Sequence, residues 1–118
     1  MSLPSLGTSA AVDFVIDTGA DYTIIHPADA LLLVPLGITL PHDKGLGGIG
    51  LTPSRYASLP CRLTLTHTDG LSVLVVLPSV YLAQPGFANG VAPSLLGRDV
   101  LSGFRLVVDG NTGEVSLS

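Results

Sequence analysis

The amino-acid sequence predicts an all-β domain, a small closed or sandwiched sheet with one or two short helices. Three observations lead to this prediction. Short runs rich in β-branched residues recur along the chain, turn residues such as glycine and aspartate separate them, and only two segments carry helix signals. The length of 118 residues fits one domain around one core, so we expect residues 1–118 to form a single domain.

The first half of the chain contains two predicted strands and a predicted helix. Residues 10–17, "AAVDFVID", alternate apolar side chains in the pattern of a half-buried strand. Residues 22–25, "YTII", are aromatic and β-branched, which also favours a strand. Pro27 is well placed to open a helix over 27–34, because proline is tolerated at the first helical position. Pro35, one residue later, ends it.

The second half of the chain reads as hairpins and one further short helix. Residues 43–54 hold four glycines and predict the mobile tip of a hairpin. Residues 61–77 give two strands that are joined at Asp69-Gly70, a hairpin turn signal. A short helix is expected within 94–104, and residues 104–118 predict a C-terminal hairpin.

The composition predicts a subunit interface and argues against several partners. Hydrophobic residues make up 47% of the chain and charged residues 12%, against a typical charged share of roughly 25%. Such an apolar small domain is expected to cover part of its surface in an oligomer. The net charge is −4 and the five lysines and arginines are scattered, so we expect no nucleic-acid partner.

The sequence also bears on compartment, membranes and cofactors. No apolar stretch reaches the roughly 20 residues that a membrane-spanning helix needs, so we expect no membrane partner for this segment. The only cysteine, Cys61, fits a reducing compartment, and we expect a cytoplasmic protein, although the chain can equally be one domain of a longer protein. The histidines lack metal-ligand spacing, so no metal or cofactor is expected.

The stretch "VIDTGADYTII", residues 15–25, carries the clearest chemical signal. A strand delivers Asp17, and Thr18 and Gly19 then turn the chain. Backbone N–H groups of such a turn can hold a carboxylate ionised at the lip of a sheet, where it can act as a general base toward water. Asp17 can also be an ordinary turn residue, since aspartate and glycine are favoured in turns. The apolar flanks on both sides favour the chemical interpretation.

Together with two later motifs, this stretch resembles the retropepsin-like aspartic proteases, the family of the retroviral proteases and their cellular and bacterial relatives. The three matches occur in the order of the family: "VIDTGAD" at 15–21, the glycine-rich "GLGGIG" at 45–50, and "LLGRD" at 95–99. The ordered combination is far more specific than any one motif. The resemblance runs from about Val12 to Leu117 and implies the retropepsin-like acid protease fold.

The resemblance also implies a role for each matched position. Asp17 would be the catalytic aspartate, Thr18 would bond to its mate across a two-fold axis, and Gly19 would bring its carbonyl close to the substrate. Ala20 and Asp21 would line the cleft and bind the peptide main chain. The tip of a flap that closes over the substrate would be formed by Gly47, Gly48, Ile49 and Gly50. Structural support behind the active-site turn would come from Leu95, Leu96, Gly97 and Arg98, with Arg98 paired to Asp21.

Aspartic-protease chemistry requires two carboxylates, and the chain has a single Asp-Thr-Gly triplet. A homodimer supplies the second copy of Asp17 by symmetry. The segments "LPSLG" (3–7) and "EVSLS" (114–118) are candidates for pairing between chains, because both are expected to be edge strands.

These inferences lead to one predicted function and one alternative. The predicted function is an aspartic-type endopeptidase that hydrolyses a peptide or protein substrate through a dyad formed across the homodimer. The alternative is a catalytically silent retropepsin-like domain that serves as a dimerisation or peptide-binding module, since fold does not fix function.

Overall fold

A computed structural model describes residues 1–45, 55–66, 70–83, 93–104, 106–108 and 115–117. In chain order the elements are β1 (Ser2–Leu3), β2 (Thr8–Ser9), β3 (Phe14–Ile16), β4 (Ile24–Ile25), α1 (Pro27–Leu33), β5 (Lys44–Gly45), β6 (Arg55–Thr66), β7 (Ser72–Ala83), β8 (Ser94–Leu96), α2 (Arg98–Leu101), β9 (Leu106–Val108) and β10 (Val115–Leu117). The predicted all-β class with short helices is therefore confirmed.

The strands of the main sheet follow the order β2-β1-β6-β7-β4-β8-β3, and β5 pairs with β6 outside this path. Within the described residues the sheet is not closed, so the closed form of the predicted sheet is not observed. Strands β9 and β10 form a separate antiparallel pair, with Val115 opposite Val108. The predicted C-terminal hairpin is thus present.

The β6–β7 hairpin consists of the two longest strands in the described part of the chain. Its two twelve-residue strands pair from Tyr56 opposite Ala83 to Thr66 opposite Ser72. The register shifts once, between Leu59 and Cys61, where Pro60 cannot donate a ladder hydrogen bond. The inward-facing side chains of this hairpin join the core, which also includes residues of β1, β4 and both helices. The largest fully buried hydrophobic side chains are Leu3, Ile25, Leu33, Leu63, Leu82, Val80 and Val100.

Two predicted strands of the first half are shorter than the sequence indicates. The first covers Phe14–Ile16 instead of 10–17, and the second covers Ile24–Ile25 instead of 22–25. Helix α1 begins at Pro27 as predicted and ends at Leu33, where Val34 adopts an extended backbone. No helix in the described part of the chain is long and apolar enough to cross a membrane.

The N-terminal segment corrects one prediction. Residues 3–7 were expected to be an edge strand free for pairing between chains, but Leu3 ends β1 and residues 4–7 form the turn of a hairpin. Strand β1 lies between β2 and β6, with Ser2 opposite both Ser9 and Arg62. Because both edges of β1 are already paired within the chain, this segment is not an edge strand.

Candidate active site

Asp17 lies directly after β3, at the point where the chain leaves the sheet. Its backbone N–H donates to the carbonyl oxygen of Leu96 at 3.0 Å, which ties it to the parallel neighbour β8. The N–H of Ala20 donates to the carbonyl oxygen of Asp17 at 3.2 Å and closes the turn. The N–H of Gly19 donates to Asp17 Oδ1 at 2.9 Å. A half-buried carboxylate is therefore held in one orientation at the lip of the sheet.

Glycine at position 19 brings the backbone amide close to the carboxylate. A Cβ atom there would lie 3.2 Å from Asp17 Oδ1, tighter than most such contacts. Thr18 and Gly19 are exposed, while Ala20 is half-buried. The structure brings these residues together in one turn next to Asp17, at the positions that the motif predicts, while their catalytic roles stay predictions.

Strand β8 separates the two strands that flank this turn. It runs parallel to β3, with Leu96 opposite Ile16, and antiparallel to β4, with Leu95 opposite Ile24. Leu96 is buried and Leu95 half-buried. Both leucines thus lie behind the Asp17 turn, which is where structural support was expected.

Gly97 follows β8 and touches the backbone after the turn. A Cβ atom at this position would lie 2.4 Å from both the carbonyl carbon and the carbonyl oxygen of Tyr22. No side chain fits this space without moving the backbone, so a glycine is required here by close approach.

Arg98 and Asp99, in the first turn of α2, bond to the residues that follow the Asp17 turn. The N–H of Arg98 donates to the carbonyl oxygen of Ala20 at 2.8 Å, and the N–H of Asp99 donates to that of Asp21 at 3.2 Å. The guanidinium of Arg98 contacts the Asp21 carboxylate, so the predicted ion pair is present. Its two side chains are 58% and 66% exposed.

Asp99 is a residue of this site to which sequence reasoning assigned no role, although it ends the "LLGRD" motif. Its Oδ2 accepts the N–H of Thr23 at 3.0 Å, and its Oδ1 accepts the Thr23 hydroxyl at 2.7 Å. Thr23 is fully buried, and its Oγ1 accepts the N–H of Gly97 at 3.2 Å. A threonine enclosed by the apolar residues of "YTII" was the signal in the sequence, since a buried hydroxyl needs a partner.

A second polar cluster links the start of β8 to helix α1 and to the residue before it. The buried Ser94 donates its hydroxyl to Asp29 Oδ2 at 2.5 Å, and its Oγ accepts the N–H of His26 at 3.0 Å. The ring nitrogen Nδ1 of His26 contacts the carbonyl oxygen of Pro93. Asp29 was not among the site residues predicted from the sequence, and its carboxylate anchors α1 to β8.

The predicted flap tip, Gly47, Gly48, Ile49 and Gly50, lies outside the described residues. The strands on either side of it are described. β5 and β6 pair antiparallel, with Lys44 opposite Tyr56 and Gly45 opposite Arg55.

Comparison with known families identifies the domain. A family model described as retroviral aspartyl protease matches residues 5–108, a range that includes the Asp17 turn and the segment from Leu95 to Asp99. A search of curated proteins found no match. The family match covers most of the chain and agrees with the mostly-β fold and the order of the three motifs. The chain therefore belongs to the retroviral aspartyl protease family.

Proposed function

We propose that this protein is a homodimeric aspartic endopeptidase whose catalytic dyad consists of the two Asp17 carboxylates. The observation that carries the proposal is the Asp17 carboxylate itself, held by the Gly19 N–H at 2.9 Å where β3 ends. The sequence contains one Asp-Thr-Gly triplet, so a second copy of the domain supplies the other carboxylate. A two-fold axis beside Asp17 supplies it without further sequence.

The chemistry of such a pair follows from electrostatics. Two carboxylates in close contact cannot both ionise, so they share one proton. The ionised group removes a proton from water as the water oxygen attacks the scissile carbonyl carbon. The protonated group gives its proton to the carbonyl oxygen, which forms a neutral tetrahedral intermediate. On collapse the protonated carboxyl gives its proton to the amine nitrogen, the C–N bond breaks, and the ionised carboxylate takes a proton from one hydroxyl of the intermediate, which restores the shared-proton state.

The remaining motif residues position the substrate. Thr18 bonds to its counterpart and fixes both turns, and the Gly19 carbonyl meets the substrate backbone. Ala20 and Asp21 line the cleft, and the flap tip at 47–50 covers the peptide. The low charge of the chain favours apolar subsites and therefore hydrophobic residues around the cleaved bond.

The test compares two substitutions that make the same chemical change. Asp17→Asn removes the proposed general base, whereas Asp13→Asn alters an exposed carboxylate at the entry to β3. We expect Asp17→Asn to lower cleavage of a peptide library at mildly acidic pH by at least about 10²–10⁴-fold. Asp13→Asn should cleave like the wild type. Native mass spectrometry should find a dimer for all three proteins.

Two results would count against the proposal. Full cleavage by Asp17→Asn would exclude Asp17 from the reaction. A wild-type protein that cleaves no peptide, and whose melting temperature a pepstatin-type inhibitor does not change, would favour the silent module. The intact triplet argues against that module, because a binding domain has no use for two like charges in contact.

A further inference from the structure

We infer that Asp99 is a positioning residue for the Asp17 turn, and that it holds this turn more strongly than the exposed Arg98–Asp21 pair does. The inference rests on the proposed function, because it gives Asp99 a role in catalysis. The resemblance assigned this residue no role. The inference is drawn from the hydrogen bonds that link residues 96–99 to residues 17–23.

The Asp99 carboxylate accepts three hydrogen bonds, from the Thr23 N–H at 3.0 Å, the Thr23 hydroxyl at 2.7 Å and the Val100 N–H at 2.9 Å. Hydrogen bonds to an ionised acceptor are roughly twice as strong as those between neutral groups. Thr23 is fully buried and Asp99 half-buried, so water competes poorly for these bonds.

Thr23 links Asp99 to the Asp17 turn through further hydrogen bonds. Thr23 also accepts the Gly97 N–H on Oγ1 at 3.2 Å and the Tyr81 N–H on its carbonyl oxygen at 3.2 Å. It is therefore fixed at once to α2, to Gly97 between β8 and α2, and to β7. At the other end of the turn, Asp17 is fixed to Leu96. Asp99 thus secures the C-terminal end of a segment whose N-terminal end carries the catalytic carboxylate.

The neighbouring Arg98–Asp21 ion pair holds the turn less strongly than Asp99. Arg98 and Asp21 are more than half exposed, and exposed ion pairs contribute little because water screens them and long side chains lose entropy. The backbone bond from Arg98 to Ala20 does not depend on the arginine side chain. The side chain of Asp99 is therefore the better candidate for holding the turn.

Ser94, at the start of β8, provides a matched control. Like Asp99 it is a polar side chain that bonds both to a side chain and to the backbone, here the Asp29 carboxylate and the His26 N–H. It lies at the end of β8 opposite Phe14, at the start of β3, whereas Asp17 follows the end of β3. Ser94→Ala should destabilise the fold without touching residues 17–23.

The experiment measures kcat and KM for Asp99→Ala, Asp99→Asn and Ser94→Ala in the full-length chain, at a temperature where all are folded. We expect Asp99→Ala to lower kcat by roughly tenfold or more, because the Asp17 carboxylate is then held less firmly, and to change KM less than kcat. Asp99→Asn should recover part of this loss, since its amide oxygen can accept the Thr23 N–H while its amide nitrogen donates to the Thr23 hydroxyl oxygen. Ser94→Ala should retain the wild-type kcat. Equal kcat losses in Asp99→Ala and Ser94→Ala would reduce Asp99 to a structural role and overturn the inference.

Amide hydrogen exchange separates this inference from the proposed function. In Asp99→Ala the amides of Ala20 and Gly97 should exchange at least about tenfold faster, whereas Ser94→Ala should accelerate the amide of His26 instead. If the wild type cleaves no peptide but this exchange pattern is found, the proposed function fails and the positioning of the turn stands. Unchanged exchange at Ala20 and Gly97 would overturn the positioning itself.

Discussion

The β6–β7 hairpin and the three strands around the Asp17 turn are held together in different ways. The hairpin has two strands of twelve residues, a ladder along its whole length and a row of buried apolar side chains. The strands β3, β4 and β8 have two or three residues each and make few ladder contacts. Side chains of Asp99, Thr23 and Ser94 make the additional links there.

This difference follows from what the site requires. Under the proposed function the chain leaves the sheet at Asp17 to present a carboxylate, so the strand ladder ends next to the proposed catalytic group. The backbone groups released there still need partners, and buried donors left without one cost about 1–3 kcal/mol each. Stability in the hairpin is therefore spread over many residues, whereas around the turn it depends on a few. The loss of one hydrogen bond should be tolerated in the hairpin and damaging around the turn.

Among substitutions around the Asp17 turn, Gly97→Ala is expected to cause the largest loss of stability. The added Cβ would lie 2.4 Å from backbone atoms of Tyr22, a contact that only a backbone shift can relieve. Overpacking of this kind typically costs about 1–3 kcal/mol, and we expect a loss at the upper end. That corresponds to a melting temperature lower by roughly 10 °C for a domain of this size.

Gly103→Ala is the matched control for this substitution. It lies two residues after α2, and its added Cβ would meet the Val100 carbonyl oxygen at an ordinary 3.6 Å. Thermal unfolding followed by circular dichroism should find it close to the wild type. If Gly97→Ala unfolded at the same temperature as Gly103→Ala, the close approach to Tyr22 would not constrain the turn.

A smaller effect is expected from Arg98→Ala. The exposed pair with Asp21 should contribute at most about 1 kcal/mol, and less at high salt, where exposed charges are screened. Urea unfolding at low and high salt measures both quantities. A salt-independent loss as large as that of Asp99→Ala would mean that the pair is desolvated, as it would be if a second copy covered it.

The sequence predicts the site where the signals are local. The Asp17 turn, the start of α1 at Pro27 and the Gly70 hairpin each depend on a few neighbouring residues, and Gly70 adopts the positive φ of 92° that favours glycine. The Asp99–Thr23 link was missed because its residues are 76 positions apart and no periodicity connects them. The prediction that residues 3–7 are an edge strand failed for a similar reason. Composition alone does not determine which strands become neighbours.

The smallest expected effect at neutral pH concerns Cys61 and tests the hairpin side of the comparison. Burial raises the pKa of this thiol from 9.0 to about 11, and the opposing effect of the N-terminal amine is smaller. The folded protein therefore keeps the thiol protonated at a pH where the unfolded chain already ionises. The associated stability is fully present below about pH 9 and is lost as the pH rises toward 11. Urea unfolding across this range should find a steeper loss for the wild type than for Cys61→Ala, whose lower starting stability does not affect the slope. Equal slopes would mean that water reaches Cys61 beside the β6 bulge, and that the hairpin core is less tightly closed than its burial indicates.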